Sequence, residues 1–103
     1  PCGAAAATLL TDAGITASVD TYEQDVKAVL SKIELGEVDA GLVYVTDVLA
    51  AGDRVEGIEL PEATPVAYPI AALTDSESAA AFVAFVLSDA GQRLLAKAGF
   101  GAP

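Results

Sequence analysis

The chain has 103 residues, with 15 acidic and 5 basic side chains, a net charge of −10, one cysteine and no histidine, methionine or tryptophan. This length suits one domain of ordinary size, and a hydrophobic fraction of 53% argues against global disorder. The scarcity of lysine and arginine argues against nucleic acid and anionic membrane surfaces as partners. The composition also excludes a Ser-His-Asp triad, a Cys-His dyad, an internal disulfide and a thiolate zinc site.

Two helices are predicted in the first part of the chain. Residues 4–11 are rich in alanine and leucine, which favour a helix, and Gly14 is placed to end it. The β-branched segment 15–19 predicts a short edge strand. From Thr21 onward the apolar residues recur at helical spacing after a capping-box pattern, and Gly36 follows the last turn. The second helix is therefore expected to begin at Thr21 and to end before Gly36.

Apolar runs in the middle of the chain predict strands. Residues 40–45 form a continuous apolar run between two aspartates, typical of a strand buried on both faces in a parallel sheet. Residues 55–60 alternate more weakly, and the proline-bracketed run 66–73 predicts an edge or crossing strand. A short helical turn is expected to begin at Thr46 and Asp47. Strands alternating with helices indicate an α/β fold with a mostly parallel sheet flanked by helices.

The C-terminal part is predicted to be helical. Asp75 or Ser76 caps a first helix, and a second helix begins at Ser88 and ends at Gly99. Phe100 follows this glycine directly and is placed to fold back on the helix, as in a Schellman-type end.

Three features indicate the capture of a small oxyanion by uncharged hydrogen-bond donors. Pro1-Cys2-Gly3 leads directly into a helix, so the first amides, including that of Cys2, lack a helical acceptor and lie at the positive end of the helix dipole. The start of the second helix offers further unpaired amides near Val26. Tyr44 ends the predicted central strand, where open α/β sheets bind ligands, and its phenol can donate without carrying charge.

Each feature also has a purely structural interpretation. Every helix begins with unpaired amides, and most of them are solvated. Cys2 is equally explained as a small buried residue, Val26 as part of the apolar stripe, and Tyr44 as a core residue with a satisfied hydroxyl. Asp47 and Tyr44 could form an acid–base pair, but an aspartate at a helix start is better explained as a cap.

The sequence around these residues resembles the periplasmic molybdate-binding proteins of ABC importers. The similarity is carried by GEVDAGLVYVTD at 36–47, QDVK at 24–27, YPIA at 68–71, the Gly-Phe pair at 99–100 and an opening turn of the form Pro-x-Gly. The resemblance spans the whole chain, which corresponds to about the C-terminal half of such a protein. It implies a two-lobed, type II periplasmic-binding-protein (Venus-flytrap) fold that holds a tetrahedral oxyanion between its lobes.

The resemblance also implies the ligand and the residues that hold it. Carried over onto this sequence, it assigns molybdate or tungstate to the backbone amides of Cys2 and Val26 and the hydroxyl of Tyr44. It implies no catalysis, no cofactor and no metal beyond that of the bound oxyanion. Residues 1–65 are expected to form a second-lobe α/β segment. Residues 66–103 are expected to form a crossing strand and C-terminal helices that pack on a first lobe absent from this chain.

The expected role is that of the substrate-binding component of a molybdate/tungstate importer, with an ABC permease in the membrane as its partner. Such a protein is expected to be periplasmic or extracellular. A lipid anchor at an N-terminus outside these residues is part of the same expectation. Because the chain opens without an initiator methionine and directly against a helix, we expect it to be part of a longer protein. The apolar C-terminal helices should then contact the missing N-terminal lobe or a second copy of the chain. A cysteine in the missing part could pair with Cys2.

Other functions stay open at this stage. The same fold serves as the effector-sensing domain of transcription regulators, and the ligand could be another oxyanion such as sulfate. An enzyme using Asp47 and Tyr44 is a further alternative, and the isolated chain could bind nothing because half the ligand shell is missing. A net charge of −10 gives a dianion no long-range attraction, so binding has to come from short-range, preorganised donors.

Overall fold

The computed structural model describes all 103 residues and contains five α-helices, one short 3₁₀ helix and no β-strand. The helices are α1 (Cys2–Asp12), α2 (Val26–Glu34), α3 (Val45–Ala51), α4 (Glu77–Leu87) and α5 (Asp89–Lys97), and the 3₁₀ helix is Gly52–Arg54. The chain divides into two compact units, Pro1–Val66 and Ala67–Pro103. The predicted division into a second-lobe segment of residues 1–65 and a return segment of residues 66–103 stays a prediction.

The predicted parallel sheet is absent from these residues. None of the four runs predicted as strands (15–19, 40–45, 55–60 and 66–73) forms a ladder, and Val45 already belongs to α3. Leu42, Val43 and Tyr44 are half-buried rather than buried on both faces. A strand requires a neighbouring backbone to pair with its N–H and C=O groups, and no second extended segment pairs with any of these runs.

Helices, not strands, lie against two of the extended segments. A Cβ atom at Gly41 would lie 2.6 Å from Val29 Cγ1 and 2.9 Å from Ile33 Cδ1, so the chain at Gly41 is in close contact with α2. A Cβ atom at Gly57 would lie 2.6 Å from Val48 Cγ1 on α3. These two extended segments therefore pack on the side chains of helices.

Three helices end in the way that the sequence predicts. The glycines that follow α1, α2 and α5 have positive φ angles of 66°, 69° and 94°, a conformation that residues with a Cβ rarely adopt; they are Gly14, Gly36 and Gly99. At the end of α2, the N–H of Glu37 donates to the carbonyl of Lys32 at 2.9 Å, and the N–H of Gly36 to that of Ile33 at 3.0 Å. These two bonds define a Schellman motif, and the same pair of bonds closes α1 and α5.

The start of α2 differs from the prediction. The helix begins at Val26, not at Thr21, because Asp25 is the N-cap and its carboxylate accepts a hydrogen bond from the N–H of Ala28 at 2.9 Å. The hydroxyl of Thr21 instead donates to Glu23 Oε1 at 2.6 Å. The threonine is therefore engaged by a neighbouring side chain and does not cap the helix.

The second unit is built on the packing of α4 against α5. Ser76 precedes α4 and Ser88 separates the two helices, which are bent by 62° relative to each other. The hydroxyl of Ser88 accepts from the N–H of Gly91 at 3.3 Å, which confirms the predicted start of α5. Gly91 is buried, and a Cβ atom there would lie 2.7 Å from the carbonyl oxygen of Val86. Only glycine permits this approach of the two helices.

Phe100 lies against an aromatic partner. Its N–H closes the Schellman motif on the carbonyl of Leu95 at 3.0 Å, as predicted. Its ring stacks edge-on against that of Tyr68, with the centroids 5.9 Å apart and an interplanar angle of 86°. Edge-to-face geometry is a favourable arrangement for aromatic pairs. This contact joins residue 68 to the end of α5 within the second unit.

Few apolar side chains are fully buried. Ala51 is the only buried hydrophobic residue, at 6% exposure, although 53% of the chain is hydrophobic. On the C-terminal helices, Phe82 is 60% exposed, and Phe85 and Leu94 are also exposed.

No single helix is long and apolar enough to cross a membrane. Only α4 and α5 taken together, as a bent pair, have the length and composition of a span.

Candidate functional site

The three predicted ligand-binding residues all lie at helix beginnings in the first unit. Cys2 is the first residue of α1, Val26 is the first residue of α2, and Tyr44 is the residue directly before α3. Backbone N–H groups at such positions have no acceptor inside their own helix, and the helix dipole makes them attractive to anions.

At the beginning of α1, the first helical hydrogen bond runs from the N–H of Ala5 to the carbonyl of Pro1, at 3.0 Å. The amides of Cys2, Gly3 and Ala4 precede it, and no side chain caps this helix. The thiol of Cys2 is half-buried and donates to the carbonyl of Leu42, with Sγ 3.7 Å from the oxygen. The thiol is thus directed to the protein, while the amide of the same residue belongs to the uncapped helix start.

The beginning of α2 is capped at one position. The Asp25 carboxylate accepts from the N–H of Ala28, the third helical residue. The amides of the two preceding residues, Val26 and Lys27, have no acceptor within the helix. Val26 is half-buried and lies in the amphipathic helix that packs on Gly41. The assignment of its amide to ligand binding stays a prediction.

Tyr44 lies at a helix start and not at the end of a strand, contrary to the prediction. The N–H of Tyr44 donates to Asp47 Oδ2 at 3.1 Å, and the N–H of Asp47 donates back to the carbonyl of Tyr44 at 3.0 Å. These two bonds turn the chain into α3, which begins one residue before the predicted Thr46. Asp47 is thus a capping residue, as the sequence favoured over an acid–base pair. The backbone N–H of Tyr44 is engaged in this turn, and the assignment of its hydroxyl to ligand binding stays a prediction.

Contacts join the three elements that carry these residues. The Cys2 thiol reaches Leu42, which precedes Tyr44 by two residues. The neighbouring Gly41 packs on Val29 and Ile33 of α2. The segment leading to Tyr44 therefore touches both the beginning of α1 and the middle of α2. The convergence of the three donor groups on one ligand stays a prediction.

An ion pair links the far ends of α2 and α3. Arg54 Nε lies 3.1 Å from Glu34 Oε1, and the same nitrogen donates to the carbonyl of Ala51 at 3.1 Å. Glu34 is the last residue of α2, and Ala51 is the last residue of α3. This bridge restrains the two helices at the ends opposite to Val26 and Tyr44.

A second set of ion pairs surrounds α2. Lys32 Nζ lies 3.4 Å from Glu23 Oε1 and 3.5 Å from Glu37 Oε2. The hydrogen bond from Thr21, together with the positive charge of Lys32, holds the pKa of Glu23 below its usual value of 4.5. The carboxylate of Glu23, with a smaller effect of Glu37, raises the pKa of Lys32 above 10.5. The ion pair between Glu23 and Lys32 thus connects the segment before α2 to the helix.

Sequence reasoning missed two of these residues. Asp25 stands directly before the apolar stripe, which is a common N-cap position, whereas the capping-box pattern predicts a start at Thr21. Lys32 has no signal in the sequence, because Glu23 and Glu37 are nine and five residues away from it and neither spacing is that of a helical side-chain pair. No group of three or more His, Cys, Asp or Glu side chains is placed to hold a metal ion.

Comparison with known sequences identifies the family. The family profile described as bacterial extracellular solute-binding protein matches residues 1–101. The chain belongs to this family, which is a family of binding proteins and not of enzymes. Membership supports the predicted two-lobed periplasmic-binding fold, although the residues described here form no sheet.

Individual relatives within this comparison include two molybdate-binding proteins and one transporter lipoprotein. The molybdate-binding protein ModA of Mycobacterium tuberculosis and that of Mycobacterium bovis are each 39% identical over 108 aligned positions, covering the whole chain and 41% of the relative. The putative ABC transporter substrate-binding lipoprotein YvgL of Bacillus subtilis is 35% identical over 86 positions, covering 79% of the chain and 33% of the relative. The predicted resemblance to molybdate-binding proteins is thereby confirmed. The chain spans about two fifths of the length of these molybdate-binding relatives, and no solved structure gives a significant match.

Proposed function

We propose that this chain forms the second-lobe part of a substrate-binding component of a molybdate/tungstate ABC importer. The observation that carries the proposal is the placement of Cys2, Val26 and Tyr44 at three helix beginnings in a chain 39% identical to molybdate-binding proteins. The amides of Cys2 and Val26 and the hydroxyl of Tyr44 donate to the oxygens of the bound oxyanion. The remaining donors come from residues beyond this chain, because the alignment covers only 41% of those relatives.

The chemistry suits a dianion held without a positive side chain. Hydrogen bonds to a charged acceptor are roughly twice as strong as those between neutral groups, and helix dipoles at α1 and α2 add to them. The carboxylates nearest to these donors are already engaged, Asp25 by the N–H of Ala28 and Asp47 by the N–H of Tyr44. A hydrogen phosphate ion would bring an O–H donor to a set of donors and would be rejected. The site binds and releases its ligand and carries out no reaction.

The two units have different places in the proposed two-lobed protein. Residues 1–65 form the second lobe, and their extended runs pair into a mostly parallel sheet with strands outside this chain. Residues 66–103 cross back, and the exposed side chains of Phe82, Phe85 and Leu94 pack on the first lobe. A second copy of the chain is the alternative cover for this apolar surface.

The place of action follows from the family. Its description as extracellular favours a transporter component over the sensing domain of a cytosolic regulator. The protein would deliver its ligand to an ABC permease from the periplasm or the cell surface. The lipoprotein name of the Bacillus subtilis relative supports a lipid anchor outside these residues.

The decisive experiment is calorimetric titration of the full-length protein with molybdate, tungstate, sulfate and phosphate. We expect tight binding of molybdate and tungstate alone. Absence of heat with all four anions would overturn the proposal, and binding of sulfate alone would replace the assigned ligand by another oxyanion.

A second measurement tests the architecture. Sedimentation of the isolated 103-residue chain should show self-association or aggregation, because the apolar faces of α4 and α5 lack their cover. A stable, folded monomer would contradict the proposed packing of these helices on another lobe.

A further inference from the structure

We infer that Lys32 is a positioning residue for the oxyanion donors at the beginning of α2, and that it acts through Glu23. The inference deepens the proposed function and rests on it, since the proposed donor at the beginning of α2 is the amide of Val26. The amide of Lys27 beside it likewise has no acceptor within the helix. It concerns a side chain that would not itself touch the ligand.

Lys32 holds the chain on both sides of α2. Its ammonium lies 3.4 Å from Glu23, which precedes Val26 by three residues, and 3.5 Å from Glu37, which follows the helix. Helical side chains lean toward the N-terminus of their helix, so a lysine in the second turn is directed to the segment that enters it. Only the Glu23 contact involves the segment that leads into the candidate donors.

The contact with Glu23 is also the better protected of the two. The side chain of Glu23 is 18% exposed, whereas that of Glu37 is 54% exposed. The oxygen of Glu23 that faces Lys32 accepts in addition from the hydroxyl of Thr21 at 2.6 Å. One carboxylate oxygen thus joins the entering segment to the body of the helix.

This restraint acts on the donors through Asp25. The backbone of Asp25 is extended, with φ −148° and ψ 164°, and its carboxylate must reach the N–H of Ala28 across the first turn. Fixing Glu23, two residues earlier, fixes the direction in which the chain enters the helix and so the orientation of the Val26 and Lys27 amides. Ordering these groups before the ligand arrives lowers the entropy cost of binding.

Lys32 has an electrostatic effect in the same direction. An unpaired Glu23 carboxylate close to the beginning of α2 would repel a dianion, and the ammonium of Lys32 compensates this charge. Loss of Lys32 therefore loosens the donors and exposes a negative charge near them. We expect Lys32→Gln to weaken molybdate binding by about two- to fivefold, the range of exposed ion pairs.

The test uses calorimetric titration of the full-length protein with molybdate. Glu37→Gln is the matched control, because it removes the other partner of Lys32 and leaves the entering segment intact. Lys32→Arg keeps the charge and the ion pair and should retain the affinity of the unmodified protein. If Glu37→Gln weakens binding as much as Lys32→Gln, or if Lys32→Gln binds as well as the unmodified protein, the inference is wrong.

Amide chemical shifts of the ligand-free protein provide a readout that does not depend on binding. Lys32→Gln should move the resonances of Val26 and Lys27, and Glu37→Gln should leave them unchanged. If the unmodified protein binds no oxyanion, the proposed function fails, while these shifts still decide whether Lys32 orders the beginning of α2. Unchanged shifts in Lys32→Gln would overturn the positioning role in either case.

Discussion

The two units of the chain are stabilised in different ways. In Pro1–Val66, polar contacts join residues far apart in the sequence: the Cys2 thiol reaches Leu42, Lys32 pairs with Glu23, and Arg54 pairs with Glu34. In Ala67–Pro103 there is no ion pair, and the side-chain hydrogen bonds, such as that from Gln92 to the carbonyl of Val86, join residues close in the sequence. The remaining contacts are the close approach of α4 and α5 and one aromatic pair.

The difference corresponds to different requirements. A unit that presents hydrogen-bond donors to an anion needs its helix beginnings held in fixed directions, and the directional polar contacts of the first unit provide this. The second unit leaves large apolar side chains exposed on α4 and α5, which suits a surface that packs against another part of a protein. The first unit is therefore the expected location of ligand chemistry and the second that of docking.

The largest expected effect is on ligand affinity in the first unit. Tyr44→Phe removes one hydrogen-bond donor to a charged ligand and should weaken molybdate binding by about 1.5–3 kcal/mol. Tyr22→Phe makes the same chemical change at a tyrosine that is 88% exposed, and calorimetry should show no change there. If Tyr44→Phe and Tyr22→Phe bind molybdate with equal affinity, Tyr44 is a packing residue and not a ligand-binding one.

The next effect is on the stability of the second unit. Gly91→Ala places a Cβ atom within 2.7 Å of the carbonyl oxygen of Val86, so the two helices must separate. We expect a loss of about 1–3 kcal/mol in the free energy of unfolding, as for other overpacked sites. Gly101→Ala, where a Cβ atom meets no neighbour, is the control for chemical denaturation. An unchanged unfolding midpoint in Gly91→Ala would show that the packing of α4 on α5 does not depend on this glycine.

A smaller effect is expected at the start of α2. Asp25→Ala removes the carboxylate that caps Ala28 and should lower the free energy of unfolding by about 0.5–2 kcal/mol. Asp20→Ala changes an exposed aspartate of the same segment that has no hydrogen bond or ion pair and should have no effect. If the two variants unfold alike, the helix does not depend on its cap.

The smallest effect is a pH dependence of stability. Folding lowers the pKa of Glu23. Its carboxylate therefore contributes fully to the free energy of unfolding above pH 4.5, and this contribution is lost as the pH falls through the folded-state pKa. Folding raises the pKa of Lys32. Its ammonium therefore contributes fully to the free energy of unfolding below pH 10.5, and this contribution is lost as the pH rises through the folded-state pKa. We therefore expect the difference in unfolding free energy between the unmodified protein and Glu23→Gln to be constant between pH 4.5 and pH 10.5. The difference should become smaller at acid pH, as measured by chemical denaturation over a pH series. Glu56→Gln, which changes an exposed glutamate outside any ion pair, is the matched variant for this comparison.

Much of the helical structure could be predicted from the sequence. Gly14, Gly36 and Gly99 end their helices as expected, and Ser88 begins α5. The resemblance to molybdate-binding proteins, read from the run 36–47, is confirmed by relatives that match the whole chain. Of the candidate site, the sequence placed Cys2 and Val26 near helix beginnings.

Other features were not predictable from local patterns. The apolar run 40–45 has the composition of a buried strand, yet its backbone meets the side chains of α2 at Gly41 and no second strand. The apolar run predicts that Tyr44 ends a strand, but Tyr44 lies directly before α3, where its N–H donates to the Asp47 carboxylate.

The sequence by itself determined where the helices end, where α5 begins and to which family the chain belongs. The glycine ends and the Ser88 cap depend on hydrogen bonds that span only a few residues, so neighbouring side chains suffice to specify them. Only the tertiary structure decided that the extended runs lie on helices, that Cys2 meets Leu42 across 40 positions and that Lys32 bridges Glu23 and Glu37. Such contacts depend on which distant groups the folded backbone brings within hydrogen-bonding or van der Waals distance, and no short segment contains that information.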